Sequence, residues 1–149
     1  MSQESLSLTG ESFFEGILAR LESAKSSVQI ESYIFSPGTL ADRICAALRQ
    51  LAQRGVRVEL MIDQVGSPDF ERHYSKDLRA AGVKCRYFNK VGVSLYRVLR
   101  GRLPFSKLFV VMNRRNHRKA FLIDGVELWL GSFNVSDNHL VEVSGKDTW

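Results

Sequence analysis

The sequence predicts an α/β layered fold with a mostly parallel central sheet flanked by helices. Three observations carry that expectation. Segments of helical period alternate with short β-branched and aromatic runs from residue 12 to residue 88. Glycines stand where those helices should end, at Gly55 and Gly82. An Asp-Gly pair, Asp124-Gly125, divides two apolar runs near the carboxyl end, as in a tight hairpin.

The elements follow in order. Ser12-Phe-Phe-Glu15 has capping-box spacing, so a helix is expected from there to about Lys25, with Phe13, Ile17 and Leu21 on one face. Val28 to Phe35 (VQIESYIF) reads as a strand. A second helix starts near Thr39 and repeats Leu40, Ile44, Leu48 and Leu51, and Val56 to Asp63 (VRVELMID) follows as the next strand. Ser67-Pro68 resembles an N-cap with proline at the first helical position, opening a helix with Phe70, Tyr74, Leu78 and Ala81 as its stripe. Val83 to Phe88 is a short strand, and Lys119 to Ile123 and Val126 to Leu130 form the hairpin.

At 149 residues, with 44% hydrophobic and 25% charged residues, the chain has the size and composition of one soluble domain. Its amino terminus, MSQESLSLTGES, lacks the basic start and apolar core of a secretory signal. The longest uncharged run, Ser32 to Ala41, is 10 residues, half of the roughly 20 that a membrane span needs. Cys45 and Cys85 lack zinc or redox spacing and read as reduced, mostly buried thiols.

The net charge of +5 is unevenly spread. No acidic residue lies between Asp77 and Asp124, and those 46 residues hold 12 of the 21 Lys and Arg. The stretch therefore suits an anionic partner. Within it, Asn89 to Met112 mixes apolar residues such as Val91, Leu95, Leu99 and Phe109 with five basic ones from Lys90 to Lys107, as an interfacial segment does.

The chemistry concentrates in HRKAFLIDGVELWLGSFN, residues 117–134. His117, Lys119 and Asp124 are spaced His-x-Lys-x4-Asp, and Gly131, Ser132 and Asn134 follow. Two apart on an extended chain, His117 and Lys119 project to one side. Histidine ordinarily titrates near about 6.5, so imidazole is available as a neutral nucleophile. An ammonium, a hydroxyl and a carboxamide can hold phosphoryl oxygens, and glycine permits close approach. The set suits a phosphate diester.

This pattern resembles the HKD signature of the phospholipase D superfamily. ESYIF (Glu31 to Phe35), RGVRVELMIDQVGS (Arg54 to Ser67), LRAAGVKCRYFN (Leu78 to Asn89) and NRRNHRK (Asn113 to Lys119) are similar to the amino-terminal half of bacterial cardiolipin synthases. The resemblance implies a phospholipase D-like layered fold and phosphatidyl transfer through a phosphohistidine. It implies His117, Lys119 and Asp124 as catalytic residues and Gly131, Ser132 and Asn134 as phosphate-binding ones. Asp124, in that pattern, would orient a histidine of a second HKD unit. Neither metal nor cofactor is expected. Partners would be an anionic phospholipid at the membrane surface, on the cytoplasmic face of the bacterial inner membrane, and a second HKD unit.

One HKD unit is present, and 18 residues follow Gly131, too few for a further strand and helix. Residues 1–149 are therefore expected to be a single unit, the first half of a two-unit enzyme. The second unit would come from a carboxyl-terminal half or from another copy of the chain. A homodimeric phosphodiesterase acting on nucleic acid and a catalytically silent half-domain are the alternatives. His73 and His139 lack the pattern and read as surface and structural residues. Ser36-Pro-Gly38 departs from the Asp-x-x-Gly of relatives, and Glu31 and Glu142 are weak candidates for the glutamate that contacts the nucleophile.

Overall fold

The computed structural model describes residues 4–88, 96–102, 104, 113 and 115–140. Helix α1 (Gly10–Ser23) leads into strand β1 (Ser27–Ser32), α2 (Thr39–Gln53) and β2 (Arg57–Asp63). A π-helical turn (Glu71–Ser75) runs into α3 (Lys76–Ala80), followed by β3 (Lys84–Phe88). Strands β4 (Ala120–Ile123) and β5 (Glu127–Leu130) form the hairpin, and a 3-10 turn (Asp137–His139) comes last.

The five strands form one sheet in the order β3-β2-β1-β4-β5. β1, β2 and β3 are parallel, with Ser27 opposite Arg57 and Glu59 opposite Lys84. β4 runs antiparallel to β1, Glu31 facing Ala120, and β5 antiparallel to β4. This direction reversal brings the start of β4 and the end of β5 to the carboxyl end of β1.

The helices close one core against the sheet. Phe14, Ile17 and Leu21 of α1 meet Val28, Ile30, Phe121 and Ile123, and Ile44, Leu48 and Leu51 of α2 join Val58, Leu60 and Ile62, all buried. Burying each such side chain contributes roughly 1.5–3 kcal/mol. The apolar stripes expected on α1 and α2 are the ones that pack. Burial pushes the Cys45 thiol up to about 12 and the Cys85 thiol up to about 11, and both are free.

Local details differ from the expectation where a tertiary partner outcompetes a local one. The N-cap of α1 is Thr9, whose hydroxyl accepts from the Ser12 amide at 3.2 Å. Glu15 does not reach back to Ser12; it pairs with Arg43 of α2 at 2.7 Å. Ser67 does not cap a helix. Its hydroxyl accepts from the Phe35 amide at 2.8 Å and donates to the Tyr33 carbonyl at 3.0 Å, stitching the exits of β1 and β2 together. β1 ends at Ser32 rather than Phe35, and Phe35 instead bridges to Val135. Of the basic and apolar stretch 89–112, only residues 96–102 and 104 are among the described ones. The interfacial reading of that stretch as a whole therefore lies outside them.

The amino end of α2 has no side-chain cap of its own. Asp137 supplies one from 97 residues away, accepting from the Thr39 and Leu40 amides at 2.8 Å each. Gly38 allows this approach, since a Cβ there would lie 2.5 Å from the Asp137 carboxylate. Asp137 thus fastens the segment after β5 to α2. Asp137→Ala should lower unfolding free energy by about 1 kcal/mol, the usual worth of a cap. Urea denaturation measures this; an unchanged midpoint and slope would mean that the cap contributes nothing.

Candidate active site

The site forms at the carboxyl edge of β1, where three segments converge. The first is residues 115–119, entering β4. Asn116 is buried and anchors it. Its backbone N–H donates to Asp63 Oδ2 at 3.0 Å, its amide nitrogen to Glu31 Oε2 at 3.0 Å, and its Oδ1 accepts from the Arg118 N–H at 3.2 Å. With Asn116 pinned inward, His117 is turned out to solvent. Its imidazole stacks on the Tyr33 ring with centroids 4.2 Å apart and planes 15° off parallel. Lys119 Nζ lies 5.6 Å from the centre of the same ring and donates to the His117 carbonyl at 3.0 Å. The histidine and the lysine therefore do converge, although on extended chain before β4 rather than on the strand itself.

The buried Asp63 carboxylate organises the second segment, the β2 exit. Its Oδ1 accepts from the Val65 and Gly66 amides at 3.0 and 3.2 Å. A buried carboxylate is costly unless it is hydrogen-bonded, and three backbone N–H groups meet that need here. Arg118 adds a looser contact to Glu31, at 3.7 Å.

The third segment follows β5. The Gly131 N–H donates to the Lys119 carbonyl at 3.4 Å, and the Phe13 ring would lie 3.3 Å from a Cβ at position 131. Ser132 is exposed, while Phe133 is buried against Phe13. Asn134 Oδ1 accepts from the Ile34 N–H at 3.3 Å, which leaves its NH2 group to donate. Val135 continues this contact by hydrogen-bonding Ile34 and Ser36. Gly131, Ser132 and Asn134 thus share an edge with His117 and Lys119.

Asp124 does not. It occupies the β4–β5 turn with φ 52°, at the other end of β4. Five residues of extended chain separate it from Lys119, about 17 Å. Its carboxylate accepts from the Lys25, Ser26 and Ser27 amides and the Ser26 hydroxyl, at 2.7 to 3.1 Å. The Ser27, Ser26 and Lys25 amides hold this carboxyl well below the usual carboxylate range. Asp124 therefore closes the α1–β1 joint within its own unit.

Residues 17–144 match the family model described as cardiolipin synthase, PLD-like domain. The chain belongs to this PLD-like family. It is 36% identical over 139 residues to the cardiolipin synthase of Geobacillus kaustophilus, covering 93% of this chain and 25% of that protein. With the cardiolipin synthase of Geobacillus thermodenitrificans it shares 34% over 148 residues, or 99% of this chain and 26% of that protein. The PLD-like chain thus spans about a quarter of the length of these relatives. Its fold is similar to Nuc from Salmonella typhimurium, a phospholipase D family member, with a TM-score of 0.54 and 22% identity over 84% of this chain and 66% of that one.

Other features of the PLD-like unit were partly legible. His73 is exposed and His139 packs edge-on against Phe133, where burial lowers its pKa. Glu31 does lie at the site edge, held by Asn116 and Arg118, and Glu142 is outside the described residues. Sequence reasoning missed Tyr33, Asp63 and Asn116 as parts of the site. Asp63 carried a signal, a carboxylate directly after the apolar run Leu60-Met61-Ile62. Among the described residues no cluster of three His, Cys, Asp or Glu could hold a metal ion.

The Asp124 placement gives a pH prediction. A carboxyl whose native pKa is depressed stabilises the fold above its unfolded pKa, near about 3.9, and loses that contribution as pH falls toward the native value. Asp124→Asn tolerates the positive φ, removes the charge and replaces one accepting oxygen with an NH2 group. It should lower the melting temperature at pH 7, and the gap to wild type should narrow as pH drops below about 4. A gap that stays constant from pH 7 to pH 2 would contradict the assignment.

Proposed function

We propose that this PLD-like unit is half of a phosphatidyl transferase of the cardiolipin synthase type. The observation that carries the reading is His117, solvent-facing and stacked at one edge with Lys119, in a chain aligned over 93% of its length with a cardiolipin synthase. A ring nitrogen of His117 attacks the phosphorus of a phospholipid diester. The bond from phosphorus to the leaving glycerol oxygen breaks, and that oxygen takes a proton from a histidine of a second HKD unit. The hydroxyl of an acceptor lipid then attacks phosphorus, the phosphorus–nitrogen bond breaks, and the acceptor's proton goes to the same second histidine. Dividing one difficult substitution into two is the gain from covalent catalysis.

The remaining groups balance charge. The Lys119 ammonium offsets the negative oxygens, the Ser132 hydroxyl and Asn134 amide donate to them, and Gly131 lets the backbone come close. In this reading residues 1–149 are the first of two units. The second belongs to the remaining length of a longer protein, or to another copy of the chain. The lipid places the work at a membrane surface, the cytoplasmic face of the bacterial inner membrane, with the unit held there peripherally. Exposed Tyr96 and Leu99, flanked by exposed Arg97 and Arg100, suit such a surface. No helix among the described residues is long and apolar enough to cross a membrane.

The test is a transferase assay on the full-length protein with phosphatidylglycerol vesicles. His117→Ala should lower formation of the two-phosphate lipid by about 10³-fold or more. An acid-labile phosphate label should map to His117 in wild type. Label on another side chain, or turnover surviving the substitution, would contradict the mechanism. His117-dependent nicking of plasmid DNA with no lipid product would favour a nucleic-acid phosphodiesterase instead.

A further inference from the structure

Nothing in the reaction just described uses the aromatic ring at position 33, yet the fold takes unusual care of it. The backbone on both sides of Tyr33 is fixed. Its carbonyl accepts from Ser67 Oγ at 3.0 Å, the Ile34 N–H donates to Asn134, and the Phe35 N–H donates to Ser67. Gly66 packs so tightly that a Cβ there would lie 2.2 Å from the Tyr33 carbonyl oxygen and 3.0 Å from ring atom Cε2. The turn that presents Gly66 is itself held by the buried Asp63. The ring is therefore placed from behind, with the His117 imidazole stacked on it and the Lys119 ammonium above it. Among the described residues the ring, not the phenol oxygen, makes the connection.

We propose that Tyr33 is a positioning residue: its ring is the platform that aims the His117 imidazole and the Lys119 ammonium at a single phosphate. The inference rests on the reading of His117 as the nucleophile and adds a group to that site. An exposed histidine samples several rotamers, and only some point a ring nitrogen toward a bound phosphorus. A stacked aromatic surface narrows that set before substrate arrives. The same surface attracts the ammonium by the ring quadrupole, so one side chain orders both groups. The effect should fall on turnover more than on substrate binding, because most of a lipid's contacts lie elsewhere.

Two variants separate ring from hydroxyl in the full-length protein. Tyr33→Phe should keep kcat within roughly threefold of wild type, while Tyr33→Leu should lower kcat roughly ten- to a hundredfold with a smaller change in KM. The second readout is spectroscopic. In carbon-proton correlation spectra, the His117 ring protons, assigned by their loss in His117→Gln, should sit upfield in wild type and Tyr33→Phe and return toward ordinary positions in Tyr33→Leu. Equal loss of turnover in both variants would overturn the ring as the working part. Wild-type turnover in Tyr33→Leu would overturn positioning. Ring-proton shifts that ignore Tyr33→Leu would overturn the stack itself, whatever reaction the enzyme runs. A wild-type protein that turns over no phosphodiester counts against the transferase reading alone, and the spectra then decide whether Tyr33 orders the imidazole.

Discussion

A single buried carboxylate ties the candidate site together. Asp63 closes β2, and its two oxygens serve two different segments: one holds the Val65–Gly66 turn, the other the Asn116 amide. The turn supports Tyr33 from behind, and Asn116 sets the path of His117. The ring and the imidazole meet because both of their supports end on one side chain. The arrangement is costly in isolation, since a buried carboxylate must be hydrogen-bonded. It persists because backbone N–H groups answer it, and these would otherwise be orphaned at a strand exit and in a loop.

Strand direction does the rest. Three parallel strands with connecting helices bring the exits of β1 and β2 to one edge. β4 then enters from that edge, and β5 returns to it. The two halves of the proposed phosphate-handling set, His117 with Lys119 and Gly131 to Asn134, are separated by the whole hairpin in sequence, and the Gly131 N–H reaches the Lys119 carbonyl in space. The same hairpin carries Asp124 to the far edge, where it fastens α1 to β1. Residues spaced as one motif therefore lie at the two ends of one strand, His117 and Lys119 at its entry and Asp124 at its exit. Asp137 repeats the lesson, since it lies three residues after Asn134 and acts by capping α2.

Much of this was legible beforehand, and the boundary between legible and illegible has a physical meaning. Periodicity found the core stripes of α1 and α2, because burial of Ile17, Leu21, Ile44 and Leu48 leaves a repeat that any reader can count. The Asp-Gly turn declared the hairpin, and the His-x-Lys spacing declared that the imidazole and the ammonium lie together. Misreadings arose where a polar side chain had a local partner on paper and a distant one in space. Glu15 could have closed a capping box and found Arg43; Ser67 could have capped a helix and found Tyr33 and Phe35. Tyr33 and Asn116 were silent, and Asp63 nearly so, for a related reason. Their roles depend on which strand exits sit side by side, and no local pattern encodes that.

The coupling through Asp63 can be read directly by amide hydrogen exchange on the full-length protein, comparing wild type with Asp63→Asn. The account predicts faster exchange at Asn116, Val65 and Gly66 together, while amides of α1 and of β1 at Val28 and Ile30 stay near their wild-type rates. If Asn116 keeps its protection while Val65 and Gly66 lose theirs, the two supports are independent, and the claim that one carboxylate sets both is wrong.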